Sequence, residues 1–320
     1  SISASQNDIA RTTRLLLEEG GPTPQAMDLE EVQSRLDQLA NAEGSMARIE
    51  ILARTLGNLH PAEAASVVRI ITGGLRMGSK EGLLEDALAD AFEEDVAAIR
   101  RAHMLIGDLG EVATLARNQN LAEAQLRPMV PILPMLASPE PDAAAIHKRL
   151  GEANAVWLEH KYDGIRAQIH KRGNEVALSS RDLRSLNDEF PELVEEAAAL
   201  PDDFILDGEI IAFAEGRKLN FFDLQKRLGR KKQQGDLFLG ASIPVKFIAF
   251  DALFADGQDL LEQPLHCRRQ TMESLPLSPS MECIGVIHAN GIADIESAFK
   301  QAKLSGDEGL IAKSPEAPYT

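Results

Sequence analysis

Five prolines, at 128, 131, 134, 139 and 141, fall in one short stretch of this 320-residue chain, and no continuous helix can run through them. Each removes a backbone donor and crowds the carbonyl four residues before it. The stretch therefore separates two segments with different periodicity. Residues 1 to about 122 read as helical. Apolar positions recur at helical spacing from Asp28 or Leu29 to Leu39, with Glu30 and Glu31 in the first turn, where carboxylates suit a helix N-terminus. Ser45 can cap a helix to about Leu56, Pro61 can open one to about Leu75, and Ser79 can cap one through Leu83, Leu84, Ala87 and Phe92. Residues 94–107 and 110–117 complete the helical set. Residues 119–141 form a linker with a first strand from Pro131 to Ala137. Beyond about 145, strands are expected at 155–160, 165–171, 175–180, 203–213, 244–254, 282–288 and 309–313. Helices are expected at 188–199, 220–228, 264–274 and 292–304, and Arg172-Gly173-Asn174 reads as a hairpin turn. The expected architecture is multi-domain: an all-α domain over 1–122, then an α+β domain over 123–320 with antiparallel sheets.

Composition narrows the function classes. With 44% hydrophobic and 26% charged residues the chain reads as soluble and globular. No apolar run approaches the ~18 residues of a membrane span, and no targeting signal is visible at the N-terminus. Two cysteines, Cys267 and Cys283, exclude a four-cysteine zinc site within the chain and read as core thiols. The net charge of −17 is spread over both segments: −9 over residues 1–125, from 11 Lys+Arg and 20 Asp+Glu, and −8 over the rest. Any polyanion contact must then come from local basic clusters acting within a Debye length of ~8–10 Å.

The α+β segment carries an ordered set of short motifs. Glu159-His160-Lys161-Tyr162-Asp163-Gly164-Ile165-Arg166 places a lysine at a strand end, with a turn and an arginine just after it. Glu159 lies two residues before Lys161, so on a strand both face one side. Ser180-Arg181-Asp182, Leu206-Asp207-Gly208-Glu209, Phe247-Ile248-Ala249-Phe250-Asp251 and Asp307-Glu308-Gly309-Leu310-Ile311-Ala312-Lys313 follow in order, each beside an expected strand. A lysine nucleophile needs an environment that favours its neutral amine, because the ammonium has no lone pair.

These five segments resemble motifs I, Ia, III, IIIa and IV of the covalent nucleotidyltransferases, the ATP-dependent DNA ligases and their RNA-ligase and mRNA-capping relatives. The resemblance implies that the Lys161 amine attacks the α-phosphate of ATP and carries AMP covalently. It implies that Glu159 accepts from the adenine amino group and that the Phe250 ring stacks on the purine. Arg166, Arg181 and Lys313 hold phosphate or ribose, and Asp163 orients Lys161 or binds the metal. Glu209 and Glu308 serve Mg²⁺, which takes few carboxylates and completes its shell with water and phosphate.

The helical segment narrows the family. Val67-Val68-Arg69-Ile70-Ile71-Thr72-Gly73-Gly74-Leu75-Arg76-Met77-Gly78 and Gly107-Asp108-Leu109-Gly110-Glu111-Val112-Ala113 resemble the DNA-binding domain of archaeal and eukaryotic replicative-type DNA ligases. Arg69 and Arg76, seven apart, share a helix face. Lys226, Arg227, Arg230, Lys231 and Lys232 form a second basic cluster suited to a DNA backbone. The expected activity is ATP-dependent sealing of 5′-phosphate/3′-hydroxyl nicks in double-stranded DNA, in replication, repair or recombination. The expected protein is a monomer of the prokaryotic cytoplasm or nucleoid. Motif V and an OB-fold domain would follow Thr320 in the family, and the helical domain begins partway through the family's version, so the chain reads as incomplete at both ends. An RNA ligase or capping-type enzyme, and a DNA-binding clamp with an inactive nucleotide site, are the alternatives. Nucleotide preference and nicked-DNA binding separate them.

Overall fold

Asp8, Asp28 and His60 each precede a helix, and each side chain accepts from a first-turn backbone N–H, as N-caps do. The structure is a computed structural model that describes residues 8–25, 27–73, 81–151, 155–214, 217–219, 222, 224 and 243–320. It divides into two compact units, Ser1–Leu84 and Glu85–Thr320. In the first unit, helices α1 (Ile9–Gly20), α2 (Leu29–Asn41), α3 (Ser45–Asn58) and α4 (Pro61–Ile71) are joined by short turns. Pro61 sits at the start of α4, and Glu63 reaches back to the His60 N–H at 3.1 Å, completing a capping box. Ala10, Ala65 and Val68 pack α1 on α4, and Leu59, Ala64 and Val67 gather Leu17, Val32 and Leu36. α1 lies within the segment expected to be helical but is not among the individual helices expected there. Leu75, Arg76 and Ser79 lie outside the described residues.

The second unit opens with α5 (Glu81–Phe92, which begins just before the division), α6 (Val96–Ile106) and α7 (Leu109–Arg117). Ala89, Ile99, Ala102, Val112 and Ala116 form their shared core. The expected strand from Pro131 to Ala137 is absent: the segment is irregular. Its prolines cannot complete a ladder. A side chain takes the place of a partner strand, because buried Gln168 donates to the Ile132 carbonyl at 2.8 Å and accepts from the Ile132 N–H at 3.1 Å.

Two sheets follow. The smaller has strand order β10-β1-β9, with β1 (Val156–Lys161) antiparallel to both β10 (Gly309–Lys313) and β9 (Val286–Ala289). The larger runs β3-β2-β4-β6-β7, from β3 (Glu175–Ser180), β2 (Ile165–Arg172), β4 (Phe204–Ala214), β6 (Val245–Ala255) and β7 (Gln258–Asp259). β5 (Arg217–Lys218) adds to β4, and β8 (Met281–Cys283) adds to β6 in parallel. The single strand expected at 282–288 is thus two strands in different sheets, separated by Ile284 and Gly285. The other described pairings are antiparallel. The helix expected at 220–228 falls outside the described residues, apart from Phe222 and Leu224.

Alternation along β4 fixes the position of the site. Leu206, Ile210 and Ala212 point into a core completed by Phe190, Leu193, Phe247 and Met272. On the opposite face, Ile205 and Ile211 enter two separate apolar clusters, leaving Asp207 and Glu209 between them. Gly208 is obligatory here, since a Cβ would sit 2.4 Å from the Phe247 ring. Among the described residues no helix is long and apolar enough to cross a membrane.

His170, fully buried on β2, makes the fold pH-sensitive. Its Nε2 lies 3.2 Å from Gln168 Oε1, and burial, opposed by Asp207, pulls its pKa down to about 4. The ring therefore stays neutral in the fold while the unfolded chain takes up a proton near pH 6.5. Stability should be complete above about pH 6.5 and fall as pH drops towards 4, by up to about 3 kcal/mol from this residue. His170→Gln should flatten that part of the pH dependence in urea titrations. An unchanged slope would remove His170 as its source.

Candidate active site

The β1–β10 pairing brings the first and last motifs together. Lys161 pairs across from Gly309 and Glu159 from Ile311, so Glu159 and Lys161 lie on one face of the small sheet. The other face, through Val156 and Leu158, is buried against Ile295 and Ala298 of the helix Ile292–Leu304. The Lys161 ammonium forms an ion pair with the Glu308 carboxylate, and both side chains stay open to solvent. The Glu308 N–H also donates to the Lys161 carbonyl at 3.3 Å. Asp307, next to Glu308, is held from two sides: His160 Nδ1 lies 2.8 Å from Oδ2 and Lys218 Nζ lies 2.7 Å from Oδ1. Lys218 also sits 5.2 Å from the centre of the Tyr162 ring. These contacts position the turn that presents Glu308.

The large sheet supplies the facing wall. Gly164 lies in the turn between β1 and β2, where a Cβ would come within 2.4 Å of the Ile210 carbonyl, so the chain approaches β4 without a side chain. Its N–H donates to Glu209. Burial pushes the Glu209 carboxyl up to about 7, against Arg166, Lys161 and the Gly164 N–H, and with Asp207 adding to the rise. A carboxyl so placed favours a neutralising partner, whether proton or cation.

Beneath the rim lies a saturated charged layer. Asp207, fully buried, takes both Nε and Nη2 of Arg166 at 2.9 and 2.7 Å and accepts from the Tyr319 hydroxyl at 2.6 Å. Its cross-strand neighbour Asp251 takes Nε and Nη2 of buried Arg268 at 2.7 and 2.8 Å. Arg268 also donates to the carbonyls of Gln263 and Ala317 at 2.6 and 3.0 Å.

Phe250 occupies a special backbone position. Asp207 pairs with Asp251 and Gly208 with Ala249, so Phe250 is an extra residue on β6, a β-bulge that re-aims its side chain. Arg166 and Lys313 lie 4.7 and 4.9 Å from its ring centre. Lys313 Nζ also lies 2.6 Å from Glu159 Oε2 and donates to the Phe250 carbonyl at 3.3 Å.

The structure therefore draws Glu159, Lys161, Arg166, Glu209, Phe250, Glu308 and Lys313 into one constellation. Asp163 is exposed in the turn after Lys161, and Arg181 is exposed in the turn after β3, apart from the contacts that join the others. Arg69 sits part-exposed on α4. Arg76, Lys226, Arg227, Arg230, Lys231 and Lys232 lie outside the described residues. The sequence reading gave no role to Arg268, Asp307, Lys218 or Tyr319. A charge inside an otherwise apolar strand, as at Asp207 and Asp251, was the available signal that buried cations had to exist. Among the described residues no group of three or more His, Cys, Asp or Glu forms a metal cluster. The donor set Glu209 and Glu308 still fits Mg²⁺, which uses one or two carboxylates with water and phosphate oxygens.

Comparison with known proteins gives the same outline. A family model described as ATP dependent DNA ligase domain matches residues 134–320, and one described as DNA ligase N terminus matches residues 2–89. A protein of Opitutus terrae named "Probable DNA ligase" is 40% identical over 93% of this chain and 35% of its own length. A "DNA ligase" of Methanothermobacter thermautotrophicus is 38% identical over 92% of this chain and 54% of its own length. The chain thus spans about a third to just over half of these relatives. A solved structure described as "Pmar-Lig_PreS3" shares the fold over 98% of this chain and 68% of its own, with a TM-score of 0.58 at 18% identity.

The charged layer can be tested by a double-mutant cycle. Asp251→Leu leaves the Arg268 guanidinium buried and unpaired and should cost about 3–5 kcal/mol of stability. Adding Arg268→Met should recover a measurable part of that loss, giving a coupling well above the ~0.5 kcal/mol of independent sites. Additive losses would show that the pair is not the unit described.

Proposed function

Because the chain belongs to the ATP-dependent DNA ligase family, we propose that it is the DNA-binding and adenylation part of an enzyme that seals nicks in duplex DNA through AMP carried on Lys161. The observation that carries the proposal is the meeting of Lys161 with Glu308 beside Glu209, at strand ends brought together from residues nearly 150 positions apart. In the first step the Lys161 nitrogen gives up a proton to solvent, to which its side chain is open. The nitrogen lone pair then forms a bond to the ATP α-phosphorus, and the bond to the β-phosphate oxygen breaks to release pyrophosphate. In the second step an oxygen of the DNA 5′-phosphate attacks that phosphorus, and the phosphorus–nitrogen bond breaks as the Lys161 nitrogen takes a proton back from solvent. In the third the 3′-hydroxyl attacks the activated 5′-phosphate, loses its proton and expels AMP. The protein aligns these groups and stabilises charge in place.

Glu159 accepts from the adenine amine, and Phe250 offers its ring to the base. Arg166, Arg181 and Lys313 bind the nucleotide, and Asp163 orients Lys161. Glu209 and Glu308 hold Mg²⁺, which when bound neutralises charge developing on the phosphates. Residues 1–122 serve DNA binding and 123–320 adenylation. Arg69, Arg76 and the cluster Lys226, Arg227, Arg230, Lys231 and Lys232 contact phosphates of nicked DNA. The protein works as a monomer in the cytoplasm or on the nucleoid.

Incubation of the full-length protein with α-labelled ATP and Mg²⁺ should label the wild type, and Lys161→Ala should carry no label. Label retained on another lysine would overturn the assignment. Glu209→Gln removes a charge that burial already disfavours, so the fold should survive while metal-dependent turnover drops by about 10²-fold or more. Unchanged turnover at limiting Mg²⁺ would exclude Glu209 as a ligand.

DNA affinity should fall with salt with a log–log slope near −0.9 per phosphate contact. Neutralising the 226–232 cluster should flatten that slope without altering sequence preference or the first step, since phosphate contacts carry no base information. Loss of self-adenylylation with an unchanged slope would place the cluster in the nucleotide pocket instead.

A further inference from the structure

Glu159 is only half satisfied. Its side chain is 3% exposed; Oε2 lies 2.6 Å from Lys313 Nζ, while Oε1 is buried without a hydrogen-bond partner. Lys313 also reaches the Phe250 carbonyl and lies against the Phe250 ring, so one ammonium touches both Glu159 and the aromatic surface beside it. A buried acceptor with no donor of its own suits a ligand that brings an N–H. The protonation of Glu159 decides which ligand that is. The carboxylate can only accept; the neutral acid can also donate.

We propose that Lys313 is a specificity-determining residue: by holding Glu159 as an acceptor-only carboxylate, it makes the site take a purine with an amino group at C6 and reject one with a carbonyl there. This rests on the proposal that Lys161 takes a nucleotide, and it assigns base selection, rather than phosphate binding, to a lysine on β10. The charged groups facing Glu159 are Lys313 from β10, Arg269 from the helix Leu265–Ser274 and Asp251 from β6. Burial pushes the Glu159 carboxyl up; Lys313 is the largest influence against that rise, Arg269 is a lesser one, and Asp251 reinforces it. Arg269 is committed at two of its nitrogens, since Nη2 donates to the Ile284 carbonyl at 2.5 Å and Nε pairs with Glu273 at 2.8 Å, while its Nη1 is buried without a partner; it makes no hydrogen bond to Glu159. Removing Lys313 removes the largest influence against that rise, and a protonated Glu159 can donate to a C6 carbonyl.

The test compares ATP with inosine triphosphate, its C6-carbonyl counterpart, as donors to Lys161 in the full-length protein. Rates are followed by intact mass over a range of pH. The wild type should prefer ATP by about 10²-fold or more, with a ratio that stays flat with pH. In Lys313→Met the ratio should fall at least about tenfold near pH 7 and recover as rising pH ionises Glu159. Lys313→Gln, which can donate without a charge, should behave alike and serves if the methionine variant does not fold. Lys313→Arg should keep the preference. Glu159→Gln, whose amide both donates and accepts, should lose it at every pH. A wild-type ratio in Lys313→Met and Lys313→Gln at all pH values overturns the inference. So does an equal slowing with both nucleotides, which would put Lys313 on the phosphates. If the wild type attaches neither nucleotide to Lys161, the proposed function fails and this inference fails with it. AMP attachment with an untouched ratio sinks the Lys313 role alone.

Discussion

Asp207 can be buried in the middle of a strand only because Arg166 closes on it from the neighbouring strand with two parallel contacts. Much of the second unit hangs on this pair. Tyr319 adds a third donor to the same carboxylate and passes its oxygen to the Met135 N–H, so one buried charge ties β2, β4, the C-terminal residues and the proline-rich segment together. Asp251, opposite Asp207 on β6, would repel it if either lacked its guanidinium. Arg268 supplies the second one and reaches the carbonyl of Ala317, which fastens the C-terminal residues again. Such pairs add little net stability over apolar replacements, yet breaking one member is expensive. They define which strands may be neighbours more than they strengthen the sheet.

Above that saturated layer the charges are deliberately unequal. Glu209 is desolvated beyond what its neighbours offset, Glu159 has one oxygen bare, and Lys161 and Glu308 meet at the solvent edge. Rigid support below and incomplete pairing above is the arrangement that the proposed phosphoryl transfer would draw on, since groups held in place can still gain from an arriving partner.

The sequence showed the periodic parts well. Helical spacing placed most of the described helices up to Arg117, and Pro61 opens α4 as expected, but Ser45 is the first residue of α3 behind Gly44 and caps nothing, and α4 ends at Ile71 rather than near Leu75. The resemblance of the motifs implied that Lys161, Glu209 and Glu308 belong together. It failed where partners, not periods, decide the outcome. The segment from Pro131 carries an extended, apolar pattern, but its donors meet the amide of Gln168 rather than a strand. Residues 282–288 look like one strand because nothing in their own pattern reveals that Met281–Cys283 follows β6 while Val286–Ala289 turns to β1. For the same reason Lys313 could be assigned to the nucleotide from its motif, while its contact with Glu159 depends on a diagonal across two strands that only the register discloses. Asp307 had no motif role, and its hold on the Glu308 turn needs Lys218, which comes from a different sheet.

The bulge at Phe250 separates two jobs that a regular strand would merge. Every residue in the β4–β6 ladder is committed to an address: its side chain must suit the face that its parity dictates. Phe250 has no opposite number on β4. Its ring instead packs with Ile211, Ile248 and Ile284 and lies against Arg166 and Lys313. The ladder sets the backbone and the side chains around the bulge set the ring, so a change at this one position is felt by the apolar cluster and the two cations while the strand pairing stays in register.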